Sequence, residues 1–172
     1  MSGFTGSFHV PGGVALRLAR ASDASFLFKL FVEARPWLSW AEGSDDFLHA
    51  LYEQQYRAMQ TGKDASYPEH LDLVIERTGV AVGRVVVNLG HGDWRIAELQ
   101  IAAAARFAGI GSNVVRGLQM AAARAGVSLS LAAPVLGSRG YTLYRRLGFQ
   151  LSATDGALHQ MVWRTAAYVE TG

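Results

Sequence analysis

Two glycines one residue apart, Gly109 and Gly111, stand in the run Arg106-Phe107-Ala108-Gly109-Ile110-Gly111-Ser112. Glycine tolerates positive φ and lets backbone N–H groups converge on one point. If a helix starts directly after such a turn, its N-terminal partial positive charge makes a seat for phosphate, and a pyrophosphate is expected here. A tight strand-to-helix turn without a ligand would use the same residues. Two phosphate motifs are excluded by inspection. A Walker A loop ends in Gly-Lys-Ser/Thr, whereas this one reads Gly111-Ser112-Asn113. A dinucleotide fingerprint needs a third glycine where Val114 stands, and an acidic residue on the next strand, where Ser128-Leu-Ser-Leu-Ala132 has none.

Another pattern remains. An apolar strand runs into Arg-x-x-Gly-x-Gly, then come an amphipathic helix, a short strand, and the ending Leu143-Tyr144-Arg-Arg-Leu-Gly148-Phe149. This order resembles the GNAT superfamily of N-acetyltransferases, most strongly over about 50 residues. The resemblance implies an α/β (α+β) fold: a mixed, mostly antiparallel twisted sheet of six or seven strands with about four helices, and a central strand–helix–strand unit holding acyl-CoA. It also implies acetyl-CoA as co-substrate, its pyrophosphate bound by Arg106, Gly109 and Gly111 with Ile101, Phe107, Ala108, Ile110 and Ser112 around it. The family often carries an asparagine against the pantetheine arm seven residues before the tyrosine, and this chain has Gly137 there. Gly140 and Ala103 likewise replace a common alanine and proline.

Acetyl transfer to an amine needs a deprotonated nucleophile, a polarised thioester carbonyl and a protonated leaving thiolate. Direct attack needs no covalent intermediate, in keeping with a chain that has no cysteine. The resemblance assigns the acid role to Tyr144, with a packing role as the bland alternative. The candidate base is Glu98, eight residues before Arg106 on the apolar run, where shelter from water suits a carboxylate to base chemistry near neutrality. Strict alternation puts Ile96, Glu98 and Gln100 on one face and Ala97, Leu99 and Ile101 on the other, so a solvent-facing Glu98 is equally compatible. His91, Asp93 or a water relay are alternative bases. Trp37, Trp40, Tyr52 and Tyr56 are candidates for an apolar acceptor pocket, and each is also a natural core aromatic. The reaction implied is acetyl transfer to a small-molecule amine or an amino-acid-like acceptor; the alternative is an acyl-CoA-binding module without turnover. A homodimer is compatible with either.

The five histidines show no metal-ligand spacing, so no metal is expected. A formal charge of +2 with scattered arginines does not point to nucleic acid. The positive charge is almost all arginine, which with abundant Ala and Gly suggests a GC-rich bacterial genome. The N-terminus lacks the basic start and apolar centre of a secretory signal, and no apolar run approaches a membrane span, so a cytoplasmic protein without a membrane partner is expected. With 172 residues, half of them apolar, the chain suits a single domain over 1–172.

The elements that must position these groups follow from periodicity. Residues 1–12 read as a loose, glycine-rich lead-in. Val14 to Ala19 alternates as a strand, and Ser22 or Asp23 can cap a helix carrying Phe26, Leu27, Leu30 and Phe31, which ends at Pro36. Ser44-Asp-Asp46 starts a second helix running to about Gln60, with Thr61 to Glu69 as a loop. A hairpin over 70–88 turns at Thr78-Gly79, and Gly90-His-Gly-Asp93 leads into the central strand. The helix 113–125 presents Val114, Val115, Leu118, Ala121 and Ala122 on one face, with Gly126 as C-cap. The next strand lies parallel to the central one, joined by a right-handed crossover. A short helix over 138–147 and a hairpin turning at Thr154-Asp-Gly156 complete the chain.

Overall fold

The computed structural model describes residues 7–136 and 139–165. Its strands are β1 Ser7–Val10, β2 Val14–Leu18, β3 His70–Arg77, β4 Val80–Leu89, β5 Asp93–Ile101, β6 Ser128–Pro134, β7 Gln150–Asp155 and β8 Leu158–Trp163. Its α-helices are α1 Ala24–Glu33, α2 Asp45–Ser66, α3 Ile110–Ala125 and α4 Gly140–Arg146. The strands form one sheet in the order β1-β2-β3-β4-β5-β6-β8-β7, antiparallel throughout except for the parallel pair β5–β6. Eight strands exceed the six or seven expected.

The extra strand is β1, inside the stretch read as a lead-in. Phe8 and Val10 alternate toward the core, and Gly12 and Gly13, both at positive φ, turn the chain back onto β2. The core contact is close: a Cβ at Gly117 of α3 would fall onto the Val10 side chain. Gly117 therefore serves packing, letting α3 lie low on the strand.

α2 also differs from expectation, continuing through Thr61–Ser66 where a loop was anticipated. Ser44 caps its start, accepting from the Phe47 N–H at 3.2 Å. The polar last turns hold because they have partners on the sheet: Lys63 Nζ reaches Asp72 of β3 at 3.4 Å. The helix ends where the residue before Pro68 is steered away from helical φ/ψ.

α3 covers one face of the sheet. Val114, Val115, Leu118 and Ala122 meet Leu16, Leu73, Ile75, Val85, Val87, Ile96 and Leu129 in the main core. Each such Val, Leu or Ile side chain contributes about 1.5–3 kcal/mol by leaving water. Gly126, at φ 71°, closes α3 as a left-handed C-cap. On the opposite face Leu27 and Leu30 of α1 pack on Val74.

At the sheet margin Asp23 holds a structural role in place of a helix cap: it accepts two 2.8 Å bonds from Arg17 and one of 2.7 Å from the Arg20 N–H. The Arg17 bonds, helped by that N–H and opposed by burial, draw its carboxyl down to about 2. A carboxyl lower in the folded than the unfolded state adds stability that is present above the unfolded pKa and lost as pH falls through the folded one. Urea unfolding should therefore show wild type losing stability between about pH 4 and pH 2. Asp23→Asn should be weaker at neutrality and flatter across that window.

Candidate active site

The central feature is an irregularity in β5. Val86 of β4 pairs with Glu98 and Val87 with Ile96, so Ala97 is an extra, bulged residue. The bulge changes the expected alternation: Ile96 and Glu98 do not share a face. Ile96, Leu99 and Ile101 turn to the α3 core, whereas Glu98 and Gln100 turn to the side of α1 and α2. Gln100 donates from its amide to the Leu30 carbonyl of α1.

Beyond the bulge β5 leaves its parallel neighbour. It pairs with β6 only from Asp93–Arg95 to Ser128–Ser130, while β6 stays paired with β8 as far as Pro134. Asp93, an alternative base in the sequence reading, is committed to this junction: its two carboxylate oxygens accept from Ser128 Oγ at 2.7 Å and Ser130 Oγ at 2.6 Å. The splay thus opens toward the carboxyl ends of the parallel strands, where open α/β sheets bind ligands.

At that end stands the glycine loop. After Ile101 a short 3₁₀ turn, Ala103–Ala105, leads to Arg106, and Phe107 and Gly109 take positive φ of 67° and 74°. Glu33 of α1 anchors the loop by accepting from the Ala103 N–H at 3.1 Å. Gly109 is the N-cap of α3 and no side chain caps the helix, so the first-turn amides have no intrahelical partner. Ile101, Arg106, Phe107, Gly109, Ile110, Gly111 and Ser112, with Ala105 and Leu143, line a cleft of about 280 Å³ here. Ala108 lies in the same loop but not among the lining residues, and Gly137 falls outside the described residues. Phe107 is 95 % exposed.

The two glycines differ. Gly109 alone has left-handed backbone, and a Cβ there would meet nothing within 4 Å, so it would project into open space beside the amides. Gly111 is at ordinary φ, and its Cβ would lie 3.9 Å from Ile101. On the expectation that this loop seats the pyrophosphate of CoA, Gly109→Val should weaken CoA binding more than Gly111→Val, since it adds backbone strain of about 1–3 kcal/mol to the obstruction. Titration calorimetry with CoA checks this order, and equal, unchanged affinities would remove the loop from the binding site.

On the other face of β5 a second cavity, about 330 Å³, is lined by Arg35, Met59, Gly62, Lys63, Ser66, Tyr67, Ala97 and Glu98. Glu98 is half-buried and interacts electrostatically with Arg35 and Arg84, so its surroundings are cationic, not the apolar strand expected. Arg84 of β4 is fully buried, donating from Nε and Nη2 to Asp72 at 2.8 and 2.5 Å. The four aromatics anticipated as an acceptor pocket are not gathered here. Trp37 and Trp40 sit on the 3₁₀ helix Pro36–Trp40, 52 % and 78 % exposed. Tyr52 is buried, donating to the Arg35 carbonyl at 3.0 Å, and Tyr56 packs edge-on against Phe28 and Phe31. Tyr52 and Tyr56 are taken up in packing α2 against α1 and the residues just after it, which leaves the polar end of α2 to meet β5. The residues sequence reasoning missed, Arg35 and Lys63, carry no motif.

Tyr144 lies on α4, half-buried against the core, its ring 5.8 Å from that of Phe149 in an edge-on arrangement. Its hydroxyl makes no hydrogen bond to a described residue. Burial raises its pKa, so the phenol stays protonated through neutrality.

This architecture is the fold of solved GNAT N-acetyltransferases, to which the chain is similar in structure. No protein-family model matches the chain and no curated protein matches it in sequence. The fold is similar to that of FdhC, a nucleotide-linked sugar GNAT, with TM-score 0.70, 12 % identity, and coverage of 97 % of this chain and 94 % of that one. It is also similar to PaiA N-acetyltransferase from Thermoplasma acidophilum, solved with coenzyme A: TM-score 0.66, 16 % identity, coverage 88 % and 99 %. A spermidine N-acetyltransferase, a chimera of SpeG from Vibrio cholerae and hSSAT, matches with TM-score 0.62, 18 % identity and coverage 92 % and 99 %. Among the described residues no helix is long and apolar enough to cross a membrane, and no group of three His, Asp or Glu side chains is placed to hold a metal.

Proposed function

We propose that the protein is an acyl-CoA-dependent N-acetyltransferase that moves an acetyl group from acetyl-CoA to the amine of a small molecule or amino-acid-like acceptor. The observation that carries this reading is the splay of β5 from β6, with an uncapped α3 N-terminus on one side and Glu98 at the Ala97 bulge on the other. The pyrophosphate of acetyl-CoA would lie on the amides following Gly109, with Arg106 beside it; these donors and the helix terminus favour negative charge. Acceptor and thioester would enter from opposite faces of the sheet and meet where the strands part. The amine nitrogen attacks the thioester carbonyl, the C–S bond breaks, and the amine proton passes to Glu98 directly or through water. Tyr144 donates a hydrogen bond to the departing sulfur.

The test is twofold. Native mass spectrometry with CoA reads binding, and thiol release from acetyl-CoA over a broad amine panel reads turnover. Acceptor-dependent thiol release is expected. Binding without release for any amine would replace this reading with that of an acyl-CoA-binding module, and absence of both would defeat it.

A further inference from the structure

The cavity beneath Glu98 has an unbalanced charge. Among its lining residues Arg35 and Lys63 are cationic and Glu98 is the one carboxylate, while Asp72 beside it pairs with Lys63 and with the buried Arg84. Asp72 is spent on Arg84, by two hydrogen bonds, and on Lys63 at 3.4 Å. Arg35 is different. Its guanidinium lies over the Phe31 ring with Cζ 4.0 Å from the centroid. It donates to the Phe31 carbonyl at 3.4 Å and contacts Met59 Sδ at 3.3 Å. Among the described residues no carboxylate comes within ion-pair distance of it.

A guanidinium has five N–H donors, and with one long bond to a carbonyl and one contact to a thioether Arg35 keeps donor capacity for a carboxylate. The position is also built. Pro36 follows it, and the Tyr52 hydroxyl fixes its carbonyl at 3.0 Å. Burial lowers the pKa of this arginine while Glu98 acts the other way, so the charge sits at a cost that an anion would offset.

Resting on the transferase reading above, we infer that Arg35 is the anion-binding half of the acceptor site, so that the acceptor is an amino acid whose carboxylate meets Arg35 while its amine meets Glu98. Cation and anion on one wall of one cavity are complementary to a zwitterion. A polyamine, cationic at both ends, would set its second charge against Arg35 and Lys63.

The experiment is calorimetric titration of the intact protein, saturated with CoA, with free amino acids and with the carboxamide and the decarboxylated amine of each. The acids should bind about 10- to 100-fold tighter than their carboxamides, the range for a charge-assisted hydrogen bond to a charged group. Arg35→Gln should erase that preference, and Arg35→Lys, which keeps the charge and stem, should keep part of it. The inference is overturned if acid and carboxamide bind alike, if no acid binds, or if Arg35→Gln and Arg35→Lys leave acid binding unchanged. The two readings separate cleanly. Thiol release with uncharged amines and no preference for acids defeats the amino-acid assignment alone, whereas Arg35-dependent acid binding without thiol release defeats the transferase reading alone.

Discussion

Tyr144→Phe is expected to lower the turnover number about 10²- to 10³-fold while leaving stability and acetyl-CoA affinity nearly unchanged, the effect of deleting one preorganised donor. The substitution keeps the edge-on contact with Phe149 and removes an oxygen that bonds to no described residue. Burial places the phenol pKa above its ordinary 10, further from a thiol near 8.5. Complete proton transfer to the leaving sulfur is therefore less favourable than hydrogen-bond donation to it, which is why the expected loss stops short of the upper range for a general acid. The loss should fall on the rate constant and not on the Michaelis constant, because the bond is made only as the sulfur leaves. Steady-state kinetics of the purified variant check this, and wild-type turnover would leave Tyr144 a packing residue.

Asp72→Ala is expected to be the most destabilising single change near the site, by about 3–5 kcal/mol, because it strands a buried cation. Arg84 is 1 % exposed, and without Asp72 its nearest remaining acceptor is Gln60 Oε1 at 3.5 Å. Burial is the largest single influence and would raise the Asp72 carboxyl, but the hydrogen bonds and charges of Arg84 and Lys63 together outweigh it and hold the group below the usual range; in the same way Asp72, with Glu98 and Tyr56, raises Arg84 against its own burial. For a chain of this size the melting temperature should fall by about 2–4 °C per kcal/mol. The double change Asp72→Leu with Arg84→Met should recover most of the loss, since an apolar pair of similar volume needs no desolvated charge. A double variant no more stable than Asp72→Ala would refute this account of the pair.

Periodicity and glycine placement made most of the architecture legible. Val114, Val115, Leu118 and Ala122 at helical spacing marked α3, and Gly126 its end. The Gly109 turn was legible because a left-handed N-cap favours glycine, which takes positive φ at little cost. What escaped shares one cause, a tertiary partner that local sequence does not display. The Ala97 bulge has no sequence mark, since Trp94-Arg-Ile-Ala-Glu-Leu alternates acceptably without it, yet it decides which face Glu98 occupies. The Thr61–Ser66 turns of α2 look like a loop because their stabilising contact, Lys63 to Asp72, is made across to β3. β1 is four residues whose apolar members gain from pairing only once Gly117 lets α3 approach. The sequence reading looks for an acceptor pocket among Trp37, Trp40, Tyr52 and Tyr56 because aromatic clusters stand out in a sequence, whereas the cavity beside Glu98 is lined largely by polar and charged residues. The cavity's charged wall joins Arg35, Lys63 and Glu98, separated along the chain and brought together by the helix–sheet packing.

The most direct test of the central claim is a reaction with isotopically labelled acetyl-CoA and an amino-acid acceptor panel, with free thiol and N-acetylated product quantified together. The proposed mechanism predicts labelled N-acetyl product formed mole for mole with released CoA, dependent on both acceptor and enzyme. Free CoA released without N-acetyl product, or no release above background at high enzyme concentration with any acceptor, would contradict it.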